Sequence, residues 1–429
     1  MSAAIVRPLL DQGRLPNLKR LIDRGGFGPI ETISPTFSPV VWTTIATGRP
    51  PNVHGITHFH HAWPGTTQRV LFDSRFRRVH AIWNILSERK IPSAFIGWWV
   101  TWPVEPISGV MVSDRYVFNR LRFGEGEVQP ADVGELQDQL YPASLNESYS
   151  RITVQPASVT TAEMATFIRG PIELKPSLQL HDPEDELRLA YAQDETHLRI
   201  AEQLLSTSAP PRVVAVHLQG TDTACHHFWR HRFPEEWGRQ FTRVAAEEQA
   251  RYGHVIDAYF EYADRRLGDL VKRIDDSTTV MVLSDHGFVP GMKRRQAGGR
   301  VTIISGVHEQ NTRPPGLIVI SGAGVQVGTR LEGVSVYDVT PTILAMMGCP
   351  IGRDMPGKPI AAALSPAEMK RLRYVDTYDA TLRPLPTQLK ITARDREKMD
   401  QINNVYLDDS GNEEAPASQP AATGGSGKR

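Results

Sequence analysis

The chain has 429 residues, 48 basic and 48 acidic, with 40% hydrophobic positions and two cysteines. A chain of this length buries a sizeable core as one large domain with an insertion or as two domains, and its balanced charge gives no basis for a nucleic-acid or acidic-membrane surface. Cys225 and Cys349 lack metal or redox spacing, which argues against a disulfide framework, and no apolar run reaches the length of a membrane span. MSAAIVRPLL carries no signal-peptide pattern, so the expected compartment is cytoplasmic.

Residues 4–24 read as two short helices, AIVRPLLDQ and PNLKRLIDRGG. The second has Leu18, Leu21 and Ile22 on one face and Gly25-Gly26 as a stop. GFGPIETIS follows as a short strand. In residues 34–56, SPTFSPVVWTTIATGRPPNVHGI, Ser38 stands before Pro39 and a run with helical apolar spacing that closes at Gly48. Ser is a favoured helix N-cap and Pro a favoured first helical residue. The expected arrangement therefore sets the Ser38 hydroxyl over unpaired N–H groups at the positive end of a helix, where an anion such as phosphate is stabilised. The next stretch, THFHHAWPGT, is a polar and aromatic loop. Its His58, His60 and His61 fit either a pocket or a solvated loop.

Residues 77–90 carry Val79, Ile82, Trp83 and Leu86 on one helical face. IPSAFIGWWV and then SGVMVSD add strands, and this alternation is the α/β rhythm. Trp98, Trp99 and Trp102 fit either a substrate cleft or core packing. From about 120 to 205 Pro and Gly breaks loosen the pattern. A helical piece near TTAEMATFIRG and a charged helix, DPEDELRLAYAQDETHLRIAEQLL, read as an insertion or cap, closed by Pro210-Pro211. RVVAVHLQ (212–219), STTVMVLS (277–284) and GLIVIS (316–321) are strands of the kind buried in a mainly parallel central sheet. Residues 234–274 read as one long helix with Ile256, Tyr259, Phe260, Ala263, Leu267 and Leu270 in its apolar stripe, and VYDVTPTILAMMG is a short helix ended by Gly348. The Ser-, Gly- and acid-rich tail from about 408 is expected to be disordered. The expected layout is a first part of the catalytic core over 1–120, an insertion over 121–205, a second core part over 206–365 and an extension over 366–429.

Chemistry-bearing residues gather just past the strands. Asp222 and His226, one helical turn apart, follow RVVAVHLQ; Asp285, His286 and Gly287 follow STTVMVLS; His308 lies in GVHEQ, before GLIVIS. Singly, each fits a cap, a turn or a loop histidine. Together they give two carboxylates, three imidazoles and the Ser38 hydroxyl, most at strand exits, where ligands collect in open α/β sheets. Nitrogen and oxygen donors without thiolate favour zinc, or manganese as the harder alternative, over calcium.

The run Ser38–Ile56 resembles the nucleophile segment of the alkaline phosphatase superfamily, closest to its type I phosphodiesterase/nucleotide pyrophosphatase branch. The shared pattern is a hydroxyl nucleophile, an apolar helix, Thr-Gly and then Pro-x-x-His-Gly-Ile. Asp222-x-x-x-His226, Ser284-Asp285-His286-Gly287 and His308 resemble the remaining ligand motifs in order, and VYDVTPTILAMMG with DMPGKPI resembles the closing helix and loop. The resemblance implies an α/β fold with a mainly parallel sheet sandwiched by helices and two divalent metal ions. Asp222, His226 and His308 would hold one ion, and Ser38, Asp285 and His286 the other, with Ser38 as nucleophile and Thr36 as runner-up. It implies cleavage of a small-molecule phosphate ester, as diesterase or monoesterase, through a phosphoseryl intermediate. His58, Phe59, His60 and Trp99 are the candidates for the substrate pocket. Phosphotransfer to an acceptor other than water would use the same residues.

The sequence departs from the family at two places. The family's opening strand ends in an Asp-Gly whose Asp completes the second metal site, whereas this sequence opens inside the helix that should follow, and Asp11 comes too late to substitute. The expectation is a start placed downstream of the true one. A metal-poor binding protein is the competing reading on the same ground. Phe59 stands where nucleotide-cleaving members carry Asn, and the Cys/Ser-x-Pro-x-Arg signature of sulfatases is absent at Ser38.

Overall fold

A computed structural model describes residues 1–62, 69–117, 121–124, 127–130, 138–176, 178–179, 182–297, 300–308 and 313–380. Helices α1 (Ala3–Asp11) and α2 (Pro16–Asp23) open the chain and bury Ile5, Val6 and Leu9, then Leu18 and Leu21, the faces set by their spacing. Gly25 and Gly26, expected as a helix stop, instead begin strand β1 (Gly25–Glu31). A side chain there has no room: a Cβ at Gly25 would lie 2.1 Å from the Ile320 carbonyl oxygen, and one at Gly28 1.8 Å from that of Leu331. Helix α3 (Ser38–Thr47) follows and is closed by Gly48 at φ +65°, a conformation that costs glycine little.

The rest alternates. Helix α4 (Ile82–Glu88) leads to the parallel strands β2 (Ser93–Trp98) and β3 (Gly109–Ser113). Helix α5 (Pro183–Leu205) precedes β4 (Val213–Val216), α6 (Gly220–Arg232) and α7 (Val255–Val271). Then come β5 (Thr279–Leu283), a hairpin of β6 (Val289–Ala297) and β7 (Arg300–Val307), β8 (Gly316–Gly322) and α8 (Val339–Met346).

The strands form two principal sheets. One runs β4–β2–β3, all parallel, with Leu140–Tyr141 antiparallel beyond β3. The other runs β5–β8–β1, where β8 is antiparallel to both neighbours and short segments at 329–330 and 334–335 lie parallel on β1. The fold is α/β as expected, with mixed rather than purely parallel sheets. The reversal of β8 has a direct cause: the chain reaches it through the β6–β7 hairpin, without the helical crossover that a parallel neighbour requires. Helices cover both faces. Val41, Ile45, Trp83, Phe95, Ile318 and Leu344 share one core, and α1, α2, α6 and α7 pack with Leu317 and Val319 in the other. Among the described residues, strands β4 and β5 are each the end strand of their own sheet, and every residue in both is only half-buried.

Several expected boundaries move. The helix expected over 77–90 begins only at Ile82. The long helix expected over 234–274 is three helices, Pro234–Gln240, Ala246–Tyr252 and Val255–Val271; Ile256, Tyr259 and Phe260 are buried in the last, so the stripe holds where the continuity does not. The histidine loop contains strand His60–Ala62, paired with Arg69–Leu71, and His60 is buried rather than solvated. Cys225 and Cys349 are both buried and free. The tail expected to be disordered lies outside the described residues, and among those described no helix is long and apolar enough to cross a membrane.

Candidate metal centre

The first element of the site is the start of α3. Ser38 is the first helical residue and Pro39 the second, with Phe37 as N-cap, so the expected Ser cap is displaced by one position. The amides of Val40 and Val41 both donate to the Phe37 carbonyl, at 2.9 and 3.0 Å. No side chain caps this end, and Ser38, 7% exposed, keeps its hydroxyl in the first turn. Thr36, the runner-up, is engaged instead: its hydroxyl donates to the His308 carbonyl and lies 3.3 Å from the His308 Nδ1.

Three strand exits supply the rest. Leaving β4, the chain turns into α6, which carries Asp222 and His226 on one face, with Nε2 of the histidine 3.5 Å from the carboxylate. This turn is pinned from α5: Asp194 accepts from the amides of Gln219 (2.7 Å) and Gly220 (3.0 Å) and from the Tyr259 hydroxyl (2.9 Å). Leaving β5, Asp285 and His286 are both buried, and Nε2 of His286 lies 3.4 Å from Asp285 and 3.9 Å from Asp222. His308 arrives at the end of β7. Its ring stacks on His286 with centroids 3.7 Å apart, lies 5.1 Å from the ring of His226, and shares Phe288 with both.

One ring nitrogen of each histidine is already committed, which orients the other. His226 Nδ1 lies 2.8 Å from the Gly306 carbonyl and His286 Nδ1 3.0 Å from that of Gly287. Donation there leaves Nε2 with a lone pair aimed at the cluster. Burial pushes all three imidazoles down, His286 to about 3 and the other two well below the usual range, so they are neutral donors. Burial pushes the carboxyls up: Asp222 to about 7, aided by the charge of Asp285, and Asp285 to about 6. The Ser38 hydroxyl favours the charged form of Asp285.

These residues fit a divalent cation. One donor atom each from Asp222, His286 and His308 lies within 4.8 Å of the others. Asp285 Oδ2 and His286 Nε2 are buried without a hydrogen-bond partner, a costly state that a cation relieves. The five carboxylate and imidazole residues among the six expected ligands thus fall in one cluster, and its tightest triad draws from both expected sets. Zinc or manganese suits such a donor set.

The expected pocket residues meet beside α3. The Phe37 ring lies 4.4 Å from His58 and 5.4 Å from Phe59, His58 lies 4.4 Å from His60, and Phe59 lies 6.0 Å from Trp99. Trp98 and Trp102, by contrast, are buried. The expectations passed over His217, which stands just past β4 and faces Trp42 (5.0 Å) and Trp99 (6.3 Å). They also passed over Asp194. A histidine closing RVVAVHLQ was a readable signal, since it occupies a strand exit like the others; Asp194, inside a charged helix, gave none.

The profile of the type I phosphodiesterase / nucleotide pyrophosphatase family matches residues 4–319. No curated protein matches the sequence. Among solved structures, murine ectonucleotide pyrophosphatase / phosphodiesterase 5 is similar at 10% identity over 78% of this chain and 90% of that one, with TM-score 0.46. Alkaline phosphatase PafA gives 13% identity, 81% and 94% coverage and TM-score 0.48. Phosphonoacetate hydrolase from Sinorhizobium meliloti 1021, bound to phosphonoformate, gives 17% identity, 68% and 55% coverage and TM-score 0.34.

Proposed function

The chain belongs to the type I phosphodiesterase / nucleotide pyrophosphatase family of phosphoric ester hydrolases, and from that premise we propose that it cleaves a small-molecule phosphate ester with Ser38 as nucleophile. What carries the reading is the meeting of Asp222, His226, Asp285, His286 and His308 within one cluster, Asp285 and His286 buried and the other three half-buried, with the Ser38 hydroxyl beside Asp285. Asp222, His226 and His308 would hold one divalent ion, and Asp285, His286 and Ser38 a second. Such ions, when bound, supply Lewis-acid charge that lowers the pKa of a hydroxyl or water and offsets the charge of the phosphoryl oxygens.

The chain's own groups do the following. The positive end of α3 stabilises the charge of the phosphoryl oxygens beside Ser38. Asp285 orients the Ser38 hydroxyl. The Ser38 oxygen bonds to phosphorus as the ester P–O bond breaks, and the proton of the hydroxyl leaves with the departing alcohol. Water then bonds to phosphorus, the P–O bond to Ser38 breaks, and the hydroxyl is restored. Carbonyl partners fix the rings of His226 and His286, and burial keeps them neutral.

Purified protein supplied with zinc or manganese should hydrolyse 4-nitrophenyl phosphate esters, and Ser38→Ala should abolish turnover while the ion held by Asp222, His226 and His308 stays bound. Unchanged turnover in Ser38→Ala would end the assignment of the nucleophile. No turnover with bound metal would end the hydrolase reading.

A further inference from the structure

The β6–β7 hairpin leaves the metal centre and returns to it: Asp285 and His286 stand shortly before β6, and His308 follows β7. It packs on α6, where the Arg230 amide donates to the Ser305 hydroxyl at 3.1 Å and His226 Nδ1 meets the Gly306 carbonyl. Residues paired across an antiparallel ladder share a face, so the register sorts the side chains. Lys293 pairs with Ile304 and Arg295 with Thr302, whereas Arg294 pairs with Ile303. Ile304, Arg295 and Thr302 are buried, which makes theirs the inner face; Arg294 is exposed on the outer one.

Lys293 is the exception on the inner face, exposed although the residues beside and opposite it are buried. The register shifts between Pro290 and Lys293, an irregularity of the kind that re-aims a side chain beside an active site. Because β6 runs outward from His286, position 293 is nearer the metal centre than position 295. The centre is closed on one side, where Asp285 and His286 are buried, and open on the other, where Asp222, His226 and His308 are half-buried. Lys293 belongs to the open side: its charge acts on His308. Arg295 is matched by Glu186 of α5, 3.8 Å from its Nη1. Among the described residues the Lys293 ammonium has neither an ion pair nor a hydrogen bond.

We infer that Lys293 contacts the phosphoryl group of the bound ester, and that the site thereby selects doubly charged phosphate monoesters over singly charged diesters. The inference rests on the hydrolase reading above for the ester itself. It adds the choice between monoester and diester, which that reading leaves open. A monoester presents one more charged oxygen than a diester, and an ammonium, a compact charge with three rotatable donors, suits an oxygen at the open side of the centre.

Binding tests this without turnover. Metal-loaded protein, titrated by calorimetry at about pH 8, should bind inorganic phosphate, there chiefly a dianion, at least about tenfold more tightly than dimethyl phosphate, a monoanion. Lys293→Met should weaken phosphate binding about tenfold to hundredfold, the range of a charged hydrogen bond, and dimethyl phosphate binding by less than about threefold, with bound metal unchanged. Lys293→Arg, which keeps the charge, should restore most of the affinity. Arg294→Met, on the outer face of the same strand, should leave both anions within about twofold. Turnover should follow: the kcat/KM ratio of 4-nitrophenyl phosphate to methyl 4-nitrophenyl phosphate should fall about tenfold in Lys293→Met. An equal loss for both anions, an equal loss in Arg294→Met, or loss of metal from Lys293→Met overturns the assignment. So does native protein that binds neither anion, or both equally. Where the binding preference holds but neither ester is cleaved, the failure counts against the hydrolase reading alone.

Discussion

Acidification should destabilise the protein through His54, and the expected size follows from its surroundings. The ring is fully buried in the turn after α3. Its Nδ1 accepts the Ile56 amide at 3.1 Å, and Nε2 lies 3.0 Å from the Thr44 hydroxyl, which itself donates to the Val40 carbonyl. Protonating Nδ1 would set two N–H groups against each other. Burial first, and then the charge of Arg77, pushes the imidazole down to about 3. Because the folded value lies below the unfolded one, the folded state binds fewer protons between the two. The stabilisation is complete above about pH 6.5 and declines by about 1.4 kcal/mol per unit as pH falls toward 3. Between pH 7.5 and 5.0 the loss attributable to His54 is about 2 kcal/mol. The assay is urea denaturation followed by tryptophan fluorescence at several pH values, comparing the protein with His54→Asn. The variant starts less stable, but the gap should narrow by about 2 kcal/mol at pH 5.0, since Asn does not titrate. Other buried groups, such as His197, His217 and Asp194, contribute equally to both proteins and cancel. Parallel pH curves would refute the reasoning.

Three further outcomes follow from the same geometry. Asp194→Ala leaves the Gln219 and Gly220 amides and the Tyr259 hydroxyl without their acceptor, so chemical denaturation should report a loss of about 3–6 kcal/mol, with weaker metal binding at Asp222 and His226 in calorimetry. Gly97→Ala places a Cβ 2.0 Å from His197 Cε1 at φ +70°; a melting experiment should show a loss above about 3 kcal/mol, and His197→Ala in the same chain should recover part of it. Thr36→Val removes the hydroxyl that holds His308, so metal affinity should fall about tenfold to hundredfold while turnover at saturating metal persists, whereas Ser38→Ala should leave none.

Much of this arrangement was legible before the structure, and what was not has physical reasons. Ser38, Asp222, His226, Asp285 and His286 lie at the ends of strongly periodic or β-branched runs, where position in the chain already implies position in space. His308 was found as a residue but not as a hairpin end, because β6, with Lys293, Arg294 and Arg295, has the composition of a loop. The break before Val255 escaped notice because an apolar stripe constrains which face is buried, not whether the helix is continuous. Asp194 was invisible for a further reason. A charged residue in a helix is ordinarily solvated, and only the tertiary packing of Tyr259 over it buries it.

The two end strands, β4 and β5, bear on how the protein behaves in concentrated solution. Their sequences, VVAV and TVMVL, contain no charge, no proline and no glycine, and each is half-buried at the end of a separate sheet. Such edges lack the lysines, bulges and prolines that ordinarily discourage one molecule from extending the sheet of another. Each is a place where a second molecule could add a strand, and light scattering at rising concentration tests for such association.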